Sequence, residues 1–449
     1  MTVELRKNLE EIFPALVEEL KDLVRIPSVS SDSFDQTKVW ESARWVEKRL
    51  AERGLDTQIL AAKNPDGSQG RPAVVGQTPH IEGAPTVLLY AHHDVQPAGD
   101  TQRWLSDPFE PQERDGRLYG RGTSDDGAGV IVHLGALSLL GDDLGVNVTV
   151  FIEGEEEIGS PSFPDFLRTY HELLAADYIV VADSDNWTVQ VPAVTASLRG
   201  LVDATVQVRV LDHALHSGMF GGPVLDAVTL ASRLIASFHD EDGKVAIEGL
   251  GGSTTSDVDW DETDFRRDAS LLPGTKLAGV GDLASRMWTQ PALSIIGFDA
   301  TSVRESSNTI IPECSFKVSL RTVPGEDGDK AMEALVKHVQ SHVPFGAQVK
   351  VIEGEIGPSY RADLESAAAR IAHECLSQAW GVASVNIGVG GSIPFISDFQ
   401  REFPQAQVIV TGVEDPATNA HSENESQDLS VLHNAILAQA LMLQKFAQV

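Results

Sequence analysis

The sequence predicts an α/β protein: a mixed, mostly parallel sheet flanked by helices, with a smaller ferredoxin-like α+β domain inserted into it. Three observations carry this expectation. Helix and strand signals alternate through the first part of the chain; the order becomes β-α-β-β-α-β from Leu198; and the α/β rhythm resumes near 358. At 449 residues the chain also exceeds one ordinary core. The division is therefore 1–197 plus 358–449 for the larger domain and 198–357 for the inserted one.

The opening "MTVELRKNLEEIFPALVEEL" reads as an amphipathic helix with acidic residues throughout, unlike the basic-then-apolar layout of a signal peptide. "KVWESARWVEKRLAERG" has helical spacing (Trp40, Ala43, Val46, Leu50) and stops at a glycine. "PTVLLY" (85–90), "GVNVTVFI" (145–152) and "ADYIVVA" (176–182) are short strands, and "DGAGVIVHLGALSLL" (126–140) is a helix between two of them. In the insert, "LVDATVQVRV" (201–210) alternates like a half-exposed strand. It is followed by the helix 222–238, the strands 291–298 and 314–323, the helix "GDKAMEALVKHVQSHV" and the strand 347–354. A polar stretch at 240–288 fits none of these elements. Beyond it lie the helix 364–380, the strand 406–413 and a last helix from about Asp428.

A composition of 42% hydrophobic and 22% charged residues suits a folded globular chain. No apolar run approaches the roughly 20 residues a membrane span needs, so no membrane partner is expected and the cytoplasm is the default location. The net charge of −32 argues against binding nucleic acid. Cys314 and Cys375 are too few for a thiolate metal site or a disulfide framework and read as buried free thiols.

Each strand of the larger domain runs into polar residues. "PTVLLY" leads to His92, His93 and Asp94; "GVNVTVFI" to "EGEEEIGS", with four glutamates in five positions; "ADYIVVA" to Asp183 and Asp185; "AQVIVTGV" to "EDPATNAHSENE", with His421. Asp125 and Asp126 stand in a Gly-rich turn before the 126–140 helix. Taken singly, each segment passes for a turn or a solvated loop. Ligands in open α/β sheets gather beyond the carboxyl ends of strands, however, so these segments can converge. Imidazole with carboxylate suits zinc or a similar divalent ion. So many carboxylates suit two ions, roughly 3.5–4 Å apart, sharing one carboxylate and activating a water, with a spare glutamate as base.

"YAHHDVQP", "LYGRGTSDDGAG", "EGEEEIGS", "LHSGMFGG", "SLRTVP", "GGSIP" and "HSENE" occur in the order found in the M20 metallopeptidases. The chain most resembles their carnosinase-type, non-specific dipeptidase branch, over nearly its whole length. The resemblance implies a catalytic domain holding two divalent ions, zinc first with manganese or cobalt as alternatives. It also implies that the insert is a lid that mediates a homodimer. Carried over, His92, Asp125, Glu157, Asp183 and His421 resemble the metal ligands, Asp125 the bridging one with a cis peptide after it. Asp185 is the rival to Asp183. Asp94 resembles the carboxylate that orients His92, and Glu156 the general base, which leaves Glu153 and Glu155 as structural or solvated. His216 resembles the histidine that reaches a neighbouring subunit's site to stabilise the oxyanion. Arg321 and Asn308 resemble substrate contacts, and Gly391 and Ser392 of "GGSIP" would supply backbone donors. Two departures stand out: Gly388-Val389 where the branch carries Arg-Glu, and Gly127 in place of a lysine.

These expectations describe a two-metal dipeptidase acting on dipeptides or short peptides with a free C-terminal carboxylate. The rivals are an N-acyl-amino-acid deacylase, carbamoylase or desuccinylase on the same scaffold, a non-catalytic peptide- or metal-binding protein, and, more weakly, a phosphate-handling two-metal enzyme.

Overall fold

The apolar runs marked as strands lie side by side. The computed structural model describes residues 2–391 and 394–449. It places six strands in one sheet, in the order 56–60, 73–77, 147–153, 86–92, 178–181, 407–410. The first two contacts are antiparallel and the other three parallel. Contacts divide the chain into two units: Met1–Ala196, Ala362–Ile387 and Phe395–Val449 form the first, which holds this sheet, and Ser197–Arg361 with Gly388–Pro394 form the second.

Asn147–Glu153 is buried at every position. Val148, Val150 and Ile152 enter a core shared with the helices Thr2–Val24, Gly127–Leu140 and Leu429–Phe446. Phe151, on the other face, stacks on Phe163 and Phe166 and joins a ring cluster with Tyr90 and Phe399. The strand is covered on both faces, and the polar residues beside Phe151 are buried with partners: Asn147 Nδ2 donates to Ala84 O (2.9 Å) and Thr149 Oγ1 accepts from Gln77 Nε2 (3.3 Å). Helix Gly127–Leu140 connects the parallel strands 86–92 and 147–153 and is itself almost wholly buried. Asp126 caps it, accepting from Gly129 N (3.1 Å), while its other oxygen accepts from His92 N (3.1 Å). A Cβ on Gly127 would stand 2.2 Å from Gly122 O, so on this backbone no lysine fits there.

Because four neighbouring strands run parallel, their carboxyl ends share one edge. His92, the glutamate loop, Asp183 and the His421 loop all leave the sheet on that edge.

The second unit has a four-stranded antiparallel sheet in the order 292–299, 313–322, 200–209, 348–357, with β-α-β-β-α-β connectivity. Val202, Ala204, Val206 and Val208 pack under Leu230, Leu234, Leu335 and Val339 of its two helices. The helix expected over 222–238 begins only at Ala227, where Asp226 caps it by accepting from Thr229 N (2.9 Å). The unplaced stretch 240–288 sends Val245 and Ile247 into this core and forms two short helices, Glu262–Asp268 and Leu283–Trp288. Trp288 occupies the space beside Gly388: a Cβ there would lie 2.6 Å from the Trp288 Cβ. The arginine of the carnosinase-type pattern therefore has no room at 388 on this backbone.

Cys314 and Cys375 are buried free thiols, pushed up by burial to about 11 and about 12. Among the described residues no helix is long and apolar enough to cross a membrane.

Candidate metal centre

His92 closes the 86–92 strand with its Nδ1 3.0 Å from Asp94 O and 3.4 Å from Asp94 Oδ1. Its Nε2 faces Asp125 Oδ1 at 3.1 Å and Asp183 Oδ2 at 3.9 Å. Tyr90 pairs with Val181, so two residues further along the register Asp183 comes opposite His92. The other oxygen of Asp125 lies 2.8 Å from His421 Nε2, which is 3.1 Å from Glu157 Oε2. Two sets of donor atoms result, His92–Asp125–Asp183 and Asp125–Glu157–His421, each with all its atoms within 4.8 Å of one another. Asp125 belongs to both. Ligand bonds of about 2.0–2.2 Å in a tetrahedral shell place donor atoms about 3.3–3.6 Å apart, and the separations here, 2.8–3.9 Å, bracket that spacing. Asp185 lies in neither set; its backbone bridges to Glu414.

The candidate donor groups are held by neighbours. Asp94 accepts from Glu156 N (3.1 Å) and Glu157 N (3.0 Å), tying the His92 turn to the glutamate loop. The Asp125–Asp126 peptide is cis. Glu425, fully buried, accepts from Gly122 N (3.1 Å), Ser124 N (3.0 Å), Asp125 N (3.1 Å) and Arg121 Nη1 (2.6 Å). It is the residue that holds the Asp125 turn. Gln96 donates through its backbone N to Glu157 Oε1 (3.0 Å) and through Nε2 to Oε2 (2.8 Å). Sequence reasoning assigned neither Glu425 nor Gln96, although both lie inside the quoted motifs "HSENE" and "YAHHDVQP".

Burial dominates the electrostatics. It pushes Glu157 up to about 7 and Asp183 and Asp185 to about 6, with neighbouring carboxylates adding to the effect. Glu156 is also raised well above the ordinary range, by burial first and then by Asp183, Glu157 and Asp125. Asp125 is the exception: hydrogen bonds from His421 and His92 outweigh its burial and hold it well below the usual carboxylate range. Those same bonds to Asp125 and Glu157 raise His421 to about 10. The cluster thus needs positive charge, which protons or bound cations can supply.

Glu153 and Glu155 are buried rather than solvated. Glu153 accepts from Tyr90 OH (2.7 Å), and Glu155 accepts from Ser162 N (2.7 Å) and Arg71 N (2.8 Å), pinning the loop. His93 bonds Pro72 O at 2.9 Å and stays outside the centre.

In the second unit His216 is exposed, and its Nδ1 accepts from Gly218 N (3.1 Å), an arrangement that leaves the neutral ring's proton on Nε2. Asn308 O accepts from Ser217 N and Ser217 Oγ (both 2.9 Å), so Asn308 and His216 are held together where His216 pairs with Thr309. Arg321 is half-buried on the 313–322 strand. Gly391 is half-buried, and Ser392 lies outside the described residues.

A sheet-edge site with two donor sets sharing one carboxylate defines a class of hydrolase scaffold, and the comparisons with known proteins identify it. The profile of peptidase family M20/M25/M40 matches residues 88–445. The Cysteinylglycine-S-conjugate dipeptidase of Corynebacterium striatum is 34% identical, over 98% of this chain and 96% of that one. The Beta-Ala-His dipeptidase of Rattus norvegicus is 28% identical, over 84% and 81%. A solved dipeptidase from Saccharomyces cerevisiae shares the fold with a TM-score of 0.77 at 23% identity, over 100% of this chain and 99% of that one. The chain belongs to peptidase family M20/M25/M40, in its carnosinase-type branch.

Proposed function

We propose that this chain is a two-metal dipeptidase that hydrolyses the peptide bond of dipeptides or short peptides bearing a free C-terminal carboxylate. The observation that carries the reading is Asp125 lying in two donor sets at once, with Glu156 adjacent to Glu157 and in neither set. His92, Asp125 and Asp183 would hold one divalent ion, and Asp125, Glu157 and His421 the other. Imidazole and carboxylate donors without thiolate suit zinc, with manganese or cobalt as alternatives. When bound, such ions polarise a carbonyl and lower the pKa of water.

The protein's own part follows from its side chains. Glu156 takes a proton from the attacking water and returns it to the leaving amine. The lifted affinity of its carboxylate for a proton suits that exchange. Asp94 positions His92 and both glutamates. His216 offers an outward Nε2–H donor for the oxyanion, supplied from a second copy in a homodimer formed through the inserted unit, which acts as a lid. Asn308, Gly391 and Ser392 contribute further substrate contacts, and Arg321 holds the substrate's carboxylate. The relatives' dipeptidase activities support the substrate class.

The test is Glu156→Ala. The variant is expected to keep its metals by elemental analysis and to lose about 10²–10⁴-fold in turnover. Normal turnover removes Glu156 from the role of base. A panel of dipeptides beside N-acetyl, N-carbamoyl and N-succinyl amino acids decides the substrate class; cleavage of only the latter group replaces dipeptidase with amide hydrolase.

A further inference from the structure

Arg199, in "SLRG", is only 7% exposed, yet no carboxylate pairs with it among the described residues. Its Nε donates to Gly390 O (3.2 Å) and its Nη1 to Arg286 O (3.5 Å), both neutral acceptors. Arg321 likewise has no ion pair among the described residues. The two are neighbours. Leu201 pairs with Arg321 and Gly200 with Thr322, so Arg199, two residues from Leu201, projects from the same face of the sheet, diagonal to Arg321. That face is the one opposite the helices, since Val202 and Ala204 point into the core. The nearby acid on it, Asp203, is committed to Lys317 at 3.0 Å.

A buried guanidinium satisfied only by carbonyls, beside a second guanidinium, is a costly arrangement unless an anion completes it. Burial first, and then repulsion from Arg321, lowers Arg199 to about 10. The glycine at 390 leaves the approach open: a Cβ there would stand 3.0 Å from Arg199 Nη2. Arg286 O and Gly390 O hold the side chain in place, so its remaining N–H groups are preorganised for a ligand.

We infer that Arg199 and Arg321 together form a carboxylate-binding site, with Arg199 the residue that positions the substrate's anionic end. The inference rests on the proposed dipeptidase reading for its substrate and adds Arg199 to it. A planar carboxylate bridges two guanidiniums with charge-assisted hydrogen bonds, a geometry one arginine alone does not offer.

The experiment compares metal-loaded wild type with Arg199→Gln and Arg199→Lys on Ala-Gly, on its C-terminal amide, and on Ala-Glu. For Arg199→Gln, KM for Ala-Gly is expected to rise about 10–100-fold, the weight of a lost charged hydrogen bond, with kcat changed far less. The preference for acid over amide should fall by the same factor, and Arg199→Lys should recover part of it. Should the loss be confined to Ala-Glu, the bound anion is the side-chain carboxylate; should Ala-Gly lose equally, it is the terminal one. Wild-type values of KM and of the acid-to-amide ratio in both variants, with only a lowered melting temperature, would overturn the inference and leave Arg199 structural. Calorimetric titration of the wild type with glycine and with glycinamide judges the site without turnover. Glycine binding that is absent with the amide, and lost in Arg199→Gln or Arg321→Gln, supports it even if no dipeptide is cleaved. Equal binding of acid and amide counts against it whatever the enzyme hydrolyses.

Discussion

Replacing Glu425 by glutamine tests what holds Asp125, the residue common to both donor sets, in place. The carboxylate accepts three backbone N–H groups of the 122–125 turn and the guanidinium of Arg121, all within 3.1 Å and out of contact with solvent. Glutamine keeps one acceptor oxygen and replaces the other by an amide NH2, a donor facing donors. It also leaves Arg121 without its charge partner, though Arg121 keeps Ser422 O (3.0 Å) and its place over the Trp104 ring. Breaking one side of a buried ion pair costs about 3–5 kcal/mol, and a hydrogen bond to a charged group about 1.5–3 kcal/mol. Because Arg121 retains other acceptors, the expected loss is near 3 kcal/mol. The turn carrying Asp125 should also loosen, weakening metal affinity about 10–100-fold, as changes at such supporting residues do. Urea unfolding of the metal-free protein measures the first quantity, and competition with a chelator on the folded variant the second. Glu423→Gln is the control, since among the described residues Glu423 pairs only with exposed Arg103 at 3.1 Å and should change stability by no more than about 1 kcal/mol. If Glu425→Gln behaves like this control in both measurements, the assigned role of Glu425 is wrong.

Asp94→Asn should separate orientation from ligation. Two N–H donors, of Glu156 and Glu157, need both its oxygens, and asparagine offers one; metal affinity should drop about tenfold or more while the fold persists by circular dichroism. Unchanged affinity would mean that Asp94 does not organise the centre. Glu153→Gln concerns pH. Burial holds Glu153 up to about 8 against 4.5, so in the metal-free protein the folded state binds the extra proton between those values. Stability therefore falls as pH rises from about 4.5 to about 8. At about 1.4 kcal/mol per pH unit the loss is on the order of 5 kcal/mol. The glutamine variant keeps an acceptor for Tyr90 OH and should be more stable than wild type at pH 8 but not at pH 4. Parallel stability-versus-pH curves for the two proteins would refute the assignment.

Much of the fold was legible because period and burial agree. The runs 85–90 and 176–182 are almost continuously apolar, 145–152 alternates with Val146, Val148, Val150 and Ile152 in the core, and the glycine and aspartate signals at Gly54 and Asp428 bracket real helix ends. The helix expected over 222–238 starts late because two glycines and a proline precede a better cap, Asp226. For Glu153 and Glu155 the linear chain left structural and solvated readings open, because a carboxylate's neighbours are invisible there; their partners, Tyr90, Arg71 and Ser162, make the structural one hold.

By itself the sequence determined which residue types stand at the ends of which strands: a histidine, paired aspartates, a run of glutamates and a late histidine, each closing an apolar segment. Only the tertiary structure decided that Asp183 rather than Asp185 faces His92, and that Glu425 closes the Asp125 turn. It also decided that Trp288 fills the place beside Gly388 and that, among the described residues, Arg199 is buried without an acid. The reason is one of range. Propensity and periodicity act over a few residues, whereas donor separations of 3–4 Å arise from strand register and from contacts between segments up to 300 residues apart.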